Sequence, residues 1–315
     1  MNHLGHFDLI ILFFVLGVFA SWIRSDLQIP EAISKFLSIF LLLALGLKGG
    51  HEVRIAESLI GFFPTVTLGL LSCFALPALM FFLAKAKVGI ANAAALAASY
   101  GSVSAVTFIT AQGILENQGV PFSGYMVAVM AIMEIPAILV AVYLYQDFSI
   151  KQQKDKPIFW AIFSAKSVVL LLGGFLIGLA MNDKSWTGIA PFIQGSFKGL
   201  LVFFLLDLGI VAQTQLREAW RFKFYILPVA ALFPLLCGSA AVLIGHFIGI
   251  ERGDLVLLAT LIGSASYIAA PAAIRASIPS ANPGLYMALP LALTFPMNLV
   301  FGIPFYLGLS QWLSL

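Results

Sequence analysis

Charge is the scarcest property of this sequence. It has 17 Lys or Arg and 14 Asp or Glu among 315 residues, or 10% charged. Soluble domains carry about 25%. So few charges cannot wet the surface of a chain this long. The net charge of +3 is too small to attract nucleic acid, so no nucleic-acid partner is expected. Cysteine is nearly absent. Cys73 and Cys237 both sit in apolar runs, outside any CxxC or metal spacing, and read as core residues. The four histidines, His3, His6, His51 and His246, lie near or beyond the ends of apolar runs and form no HExxH or other metal pattern. No Lys or Arg precedes the first apolar run, which argues against a cleaved signal peptide. Strict polar–apolar alternation is also missing, which excludes the strands of a membrane barrel.

What remains is apolar. Hydrophobic residues make up 61% of the chain, and the mean hydropathy is +1.02. They fall into runs long enough to cross a bilayer, which takes about 20 residues per helix. Helices are required there because lipid cannot satisfy open backbone groups. The spacing predicts an all-α integral membrane protein with ten spans, at 7–23, 29–47, 59–84, 90–115, 121–145, 158–180, 189–212, 224–248, 255–276 and 285–309. The basic residues then sort unevenly. Arg24, Lys35, Lys85, Lys87, Lys151, Lys154, Lys156, Lys166, Arg217, Arg221, Lys223 and Arg275 fall on one side. Lys48, Arg54, Lys184, Lys198 and Arg252 fall on the other. The positive-inside bias makes the first side cytoplasmic and puts both termini outside. A polar stretch at 147–156 divides a five-helix unit at 1–146 from another at 157–315 and reads as a cytoplasmic linker.

The two units resemble each other at an offset of about 160 residues. Gly101-Ser102-Val103-Ser104 matches Gly263-Ser264-Ala265-Ser266, Tyr125-Met126 matches Tyr286-Met287, Pro136 matches Pro296, and Leu45-Gly46-Leu47 matches Leu208-Gly209-Ile210. Units with an odd number of spans must lie in opposite orientations, so the expected architecture is an inverted repeat.

The matched Gly-Ser-x-Ser tracts fall near the middle of spans four and nine. Glycine frees the backbone and serine competes for its hydrogen bonds, so these helices are expected to break. The second half of a broken helix presents uncapped N–H groups and partial positive charge, which bind anions. Gly101, Ser102, Val103, Ser104, Thr107, Gly263, Ser264, Ala265, Ser266 and Tyr267 are the candidate substrate contacts. A single tract of this kind is explained as well by close helix packing. Its duplication at equivalent places favours a site. Glu134 lies two residues before Pro136 in span five, and Thr294 stands in the matching place of span ten. An intramembrane acid, freed carbonyls beside Pro136 and Pro296, and the oxygens of Thr294 and Asn298 suit a coupling ion, Na⁺ or H⁺. A neutral structural carboxyl is the alternative for Glu134. Asp207 is a second intramembrane acid, explained equally by an interhelix contact. Asp8 reads as interfacial.

These motifs resemble the SbtA-type sodium-dependent bicarbonate transporters. The resemblance rests on Leu45-Gly46-Leu47-Lys48-Gly49-Gly50, on 101–104, on Met133-Glu134-Ile135-Pro136-Ala137, and most specifically on Ile278-Pro279-Ser280-Ala281-Asn282-Pro283. It implies core and gate domains moving against each other, a homotrimer, an inner-membrane location, and bicarbonate taken up with Na⁺ between the two broken helices. It implies no other cofactor. Two departures stand out. Tyr267 occupies the place of a family Asp, which leaves sodium stoichiometry, proton coupling and the identity of the anion open, another small anion or a monocarboxylate included. The short 147–156 linker argues against the family's PII-like regulatory partner. A channel would show charge rings or filter carbonyls. An enzyme would need a nucleophile–base pair or metal ligands within the spans, and neither pattern is present.

Overall fold

The structure is a computed structural model, and it describes residues 9–55, 60–149, 166–219 and 227–314. Every element among these residues is helical. In chain order they are α1 (Leu9–Trp22), α2 (Glu31–Ile55), α3 (Phe62–Val88), α4 (Ile90–Gly101), α5 (Ala105–Asn117), α6 (Met126–Met133), α7 (Pro136–Phe148), α8 (Lys166–Ala180), α9 (Asp183–Ala219), α10 (Leu227–Phe247), α11 (Arg252–Ile262) and α12 (Ala269–Ser277). The last, α13, runs over Gly284–Leu313. Seven of the helical segments are long and apolar enough to cross a membrane, with α4–α5 and α6–α7 each taken as one. Two shorter apolar helices, at Ile11–Trp22 and Val169–Ala180, accompany them. Asp8, His3, His6 and the 150–156 part of the expected linker lie outside the described residues.

The apolar surface tells which helices sit outside. Phe247 is 83% exposed and Phe63, Phe192 and Leu236 are mostly bare. Aromatic and aliphatic side chains so exposed would aggregate in water, and in lipid they are solvated. By contrast, Ile90–Asn117 is 94% buried across its apolar window, against 28% for Phe62–Val88. The helix with the first Gly-Ser tract is therefore wrapped on all sides by protein.

Two pairs of helices are held in close contact by glycine. A Cβ on Gly17 of α1 would run into the backbone of Leu206 and Gly209 on α9, and one on Gly46 of α2 into the backbone of Leu171 and Gly174 on α8. Small residues permit such backbone approach, which is a main source of helix affinity in lipid. α9 also packs against α2, and Ser34 Oγ donates to Asp207 Oδ2 across them at 2.5 Å. Asp207 is thus engaged in an interhelix contact. The remaining helices, α3 to α7 and α10 to α13, surround the two Gly-Ser tracts.

A second pair of contacts anchors the chain ahead of α6 and α13. Asp254, fully buried at the start of α11, accepts from Ser123 N at 2.6 Å and from Tyr125 Oη at 2.5 Å. Asn92, at the start of α4, accepts from Asn282 N at 2.8 Å. In both cases a side chain in the first turn of one helix fixes the backbone that leads into another.

Three interruptions break the inner helices. α4 stops at Gly101, and Ser102 and Ser104 are extended before α5 starts. α11 stops at Ile262, and 263–268 is non-helical before α12. Between α6 and α7 the helix lapses at Glu134 and Ile135, where Pro136 opens the next helix and cannot donate backward. Pro296 acts differently. It lies between π-helical stretches, Pro290–Thr294 and Asn298–Gly302, so α13 absorbs its proline by widening its turns.

Candidate functional site

The two serine tracts meet. Ser264 Oγ accepts from Ser104 N at 2.9 Å, and Ser266 N donates to Ser99 O at 2.7 Å. The extended pieces thereby exchange the hydrogen bonds that each lost by leaving the helix. Glycine makes this possible at Gly101, where a Cβ would strike the ring of Pro77 on α3.

Within each tract the two serines do different things. Ser102 Oγ donates to Glu134 O at 2.9 Å, and Ser264 Oγ donates to Leu261 O at 2.8 Å. Both are tied to the framework. Ser104 caps α5, its Oγ accepting from Thr107 N at 3.2 Å and from Thr107 Oγ1 at 2.9 Å. Ser266 Oγ accepts from Ala270 N at 3.1 Å in the first turn of α12. Ser104 is therefore the N-cap of α5, and Ser266, two residues ahead of the α12 cap position Ile268, satisfies a first-turn N–H at the positive end of its half-helix.

Those two serines line one small cavity with Leu42, Val103, Ala105, Glu134, Tyr267, Ile268 and Ala269. It is a narrow, partly open cavity with room for about one water-sized molecule. Ala105 and Ala269 are the first residues of α5 and α12, so both half-helix N-termini open onto it. The first N–H groups of a helix have no intrahelical acceptor. The Tyr267 hydroxyl is buried beside the Ser104 hydroxyl without a hydrogen bond of good geometry, and its ring packs at an angle on Phe295, centroids 5.6 Å apart.

Of the expected contacts, Val103, Ser104, Ser266 and Tyr267 line this cavity and Glu134 faces it as well. Ser102, Thr107, Gly101, Gly263, Ser264 and Ala265 are buried beside it without lining it. Thr294 and Asn298 come together elsewhere. They line a second cavity of about 210 Å³ with Ala230 and Pro234. There Thr294 Oγ1 donates to Ala230 O at 3.0 Å and meets Tyr100 Oη at 2.9 Å, while Asn298 Nδ2 donates to Gly263 O at 2.7 Å. Asn298 thus reaches the second tract from behind. Pro136 opens α7 directly after Glu134 and Ile135.

Helices broken at mid-length around a shared polar cavity are a transporter's arrangement, and the family match agrees. A family model for the Na⁺-dependent bicarbonate transporter superfamily matches residues 10–311. The chain belongs to that superfamily. It is a multi-pass membrane protein of a transporter family, not of an enzyme family. A comparison with curated proteins finds no match. Superfamily membership carries bicarbonate and Na⁺ as the transported species at the level of the superfamily.

Sequence reasoning missed four polar features. Tyr100, one residue before its tract, meets Thr294, and Tyr306 Oη donates to Pro234 O at 3.1 Å. Asp254 and Tyr125 form a buried pair whose acid stands at the head of an apolar run. Glu116 at the end of α5 is held by Lys48 of α2 at 3.0 Å and by Lys198 of α9 at 3.5 Å. The first and third carried a signal, a polar atom within an apolar run. The last carried none, because its partners are far apart in sequence.

Proposed function

We propose that the protein takes up bicarbonate together with Na⁺ across the inner membrane by alternating access, holding the anion between the ends of α5 and α12. One observation carries this reading. Two half-helix N-termini, the hydroxyls of Ser104 and Ser266 and the Tyr267 hydroxyl converge on one narrow cavity that Glu134 also faces. Partial positive charge and hydroxyl donors hold a monoanion there without a buried Lys or Arg. The narrowness of the cavity favours a small anion over a monocarboxylate with a long chain.

Glu134 is the coupling group in this reading. A bicarbonate and an ionised carboxylate in one low-dielectric cavity repel unless a cation accompanies them. Na⁺ bound near Glu134 supplies that charge and links the two fluxes. The Thr294 and Asn298 oxygens lie at the other cavity, so they would serve a separate cation and not the one beside Glu134.

The movement follows from an inverted repeat of five and five spans. The mirrored glycine contacts, Gly17 with Gly209 and Gly174 with Gly46, support that symmetry. The Asp254–Ser123 and Asn92–Asn282 anchors support it again. In this reading α1, α2, α8 and α9 form the gate, and the helices around the tracts form the core that slides past it. The uneven distribution of Lys and Arg supports an orientation with both termini outside. A homotrimer follows from the resemblance alone.

The test is uptake of labelled bicarbonate into proteoliposomes, with and without an inward Na⁺ gradient. Saturable uptake that the gradient drives supports the reading. Uptake that ignores sodium removes the coupling, and a flux that never saturates replaces the transporter with a channel.

A further inference from the structure

The hydroxyls of the cavity differ in what they have left to give. Ser104 Oγ already accepts from both Thr107 N and Thr107 Oγ1, and Ser266 Oγ accepts from Ala270 N. Both lone pairs of Ser104 and one of Ser266 are engaged, so each offers the cavity chiefly its hydrogen. Tyr267 is the opposite case. Its hydroxyl is buried, with the residue 8% exposed, and lies beside the Ser104 hydroxyl without a hydrogen bond of good geometry. A phenol oxygen can both donate and accept, and here both capacities are open. Leaving such a group unmatched when buried is costly, so the site is completed by a ligand that brings a hydrogen as well as charge.

The asymmetry of the two tracts sharpens this. Ala105 stands directly after Ser104, where Tyr267 stands directly after Ser266. Only one of the two half-helices brings a phenol, so the cavity distinguishes one end of a bound anion from the other. Glu134 is the cation's partner in the transport reading, which leaves Tyr267 as the acceptor for a hydrogen carried by the substrate.

We propose that the Tyr267 phenol is the specificity-determining contact for a planar monoanion that carries one O–H, accepting that hydrogen while Ser104 and Ser266 donate to the charged oxygens. The inference rests on the transport reading above and names what its site selects. Bicarbonate has the O–H. Nitrate has the same planar shape and charge and lacks it. A site built to bond a substrate hydroxyl rejects the analogue without one, because its own polar group is then stranded.

The experiment uses the full chain in proteoliposomes and measures labelled bicarbonate uptake with nitrate as competitor. In the wild type, nitrate inhibits with a constant at least about tenfold above the KM for bicarbonate. Tyr267→Phe keeps the ring against Phe295 and removes only the oxygen. Its KM for bicarbonate rises about tenfold while the nitrate constant moves less than about twofold. Equal weakening of both anions in the Phe variant, or no weakening of either, overturns the inference and leaves the transport reading intact. So does a wild type that nitrate inhibits as well as bicarbonate saturates it, a result that needs no variant to fold. Wild-type vesicles that take up no bicarbonate overturn both.

Discussion

Replacing the four tract serines by alanine one at a time separates binding from framework. Ser104→Ala removes a helix cap, which is worth about 1 kcal/mol of stability. It also removes a donor from the cavity, and a hydrogen bond to a charged group is worth about 1.5–3 kcal/mol. That second loss corresponds to a rise in bicarbonate KM of roughly ten- to a hundredfold. Ser266→Ala behaves alike, since Ser266 caps Ala270 N and lines the same cavity. Ser264→Ala differs. Its Oγ accepts from Ser104 N and donates to Leu261 O without lining the cavity. Removing it strands a buried N–H at about 1–3 kcal/mol, so thermal stability in detergent falls while the KM of the folded fraction holds within a few fold. Ser102→Ala frees the Glu134 carbonyl and changes the sodium dependence more than the anion KM. The assays are bicarbonate uptake against concentration and a thermal midpoint for each variant. An anion KM that rises as far in Ser264→Ala as in Ser104→Ala would refute the division of labour.

Glu134→Gln keeps the size of the side chain and removes its charge, so uptake loses its steep response to the sodium gradient while bicarbonate binding persists, as flux at varied sodium will show. Glu116→Gln weakens the clasp of Lys48 and Lys198. These side chains are a third to a half exposed, so the stability loss is below about 1 kcal/mol, and it shrinks in high salt in a thermal melt. Because α2 and α9 belong to the proposed gate and α5 to the core, the same variant changes the transport rate more than its stability implies. Gly46→Leu forces α2 off the backbone of α8 and destabilises by about 1–3 kcal/mol or more, read as a lower melting midpoint. Gly188→Leu, which meets open space, serves as its control.

The helices were legible because lipid leaves the chain few options. An apolar run must become a helix, and the described part of every expected span contains one. The interruptions at 102–104 and 263–268 were legible for a local reason, the backbone freedom of Gly101 and Gly263 beside competing serines. The lapse at Glu134 and Ile135 was only half visible, through Pro136. The same residue type at Pro296 produced π-helical turns instead, because neighbouring turns of α13 can widen around it. Which serine caps and which one ties the framework was not legible at all. Ser102 and Ser104 are the same residue two positions apart, and only the direction of an extended backbone sends one to Glu134 and the other to the cavity. Grouping Glu134 with Thr294 and Asn298 followed their matched places in the repeat. The fold puts the first at one cavity and the other two at another.

That separation has a consequence for coupling. A scaffold that exposes one site to two sides in turn needs its two halves to be nearly alike, so that neither state is much the lower in energy. The glycine seams and the paired anchors of α4 and α11 meet that need. The chemistry carried by the scaffold is unlike between halves. In the repeat, Glu134 corresponds to Thr294, Tyr267 to Ala105, and Tyr100, which meets Thr294, to Ile262. In the proposed transport reading, a cavity with its acid from the first half and its phenol from the second holds a lopsided anion in one orientation and a cation on one flank. On that reading symmetry in the packing and asymmetry in the side chains do separate work, the first permitting the proposed exchange of states and the second deciding what is carried through it.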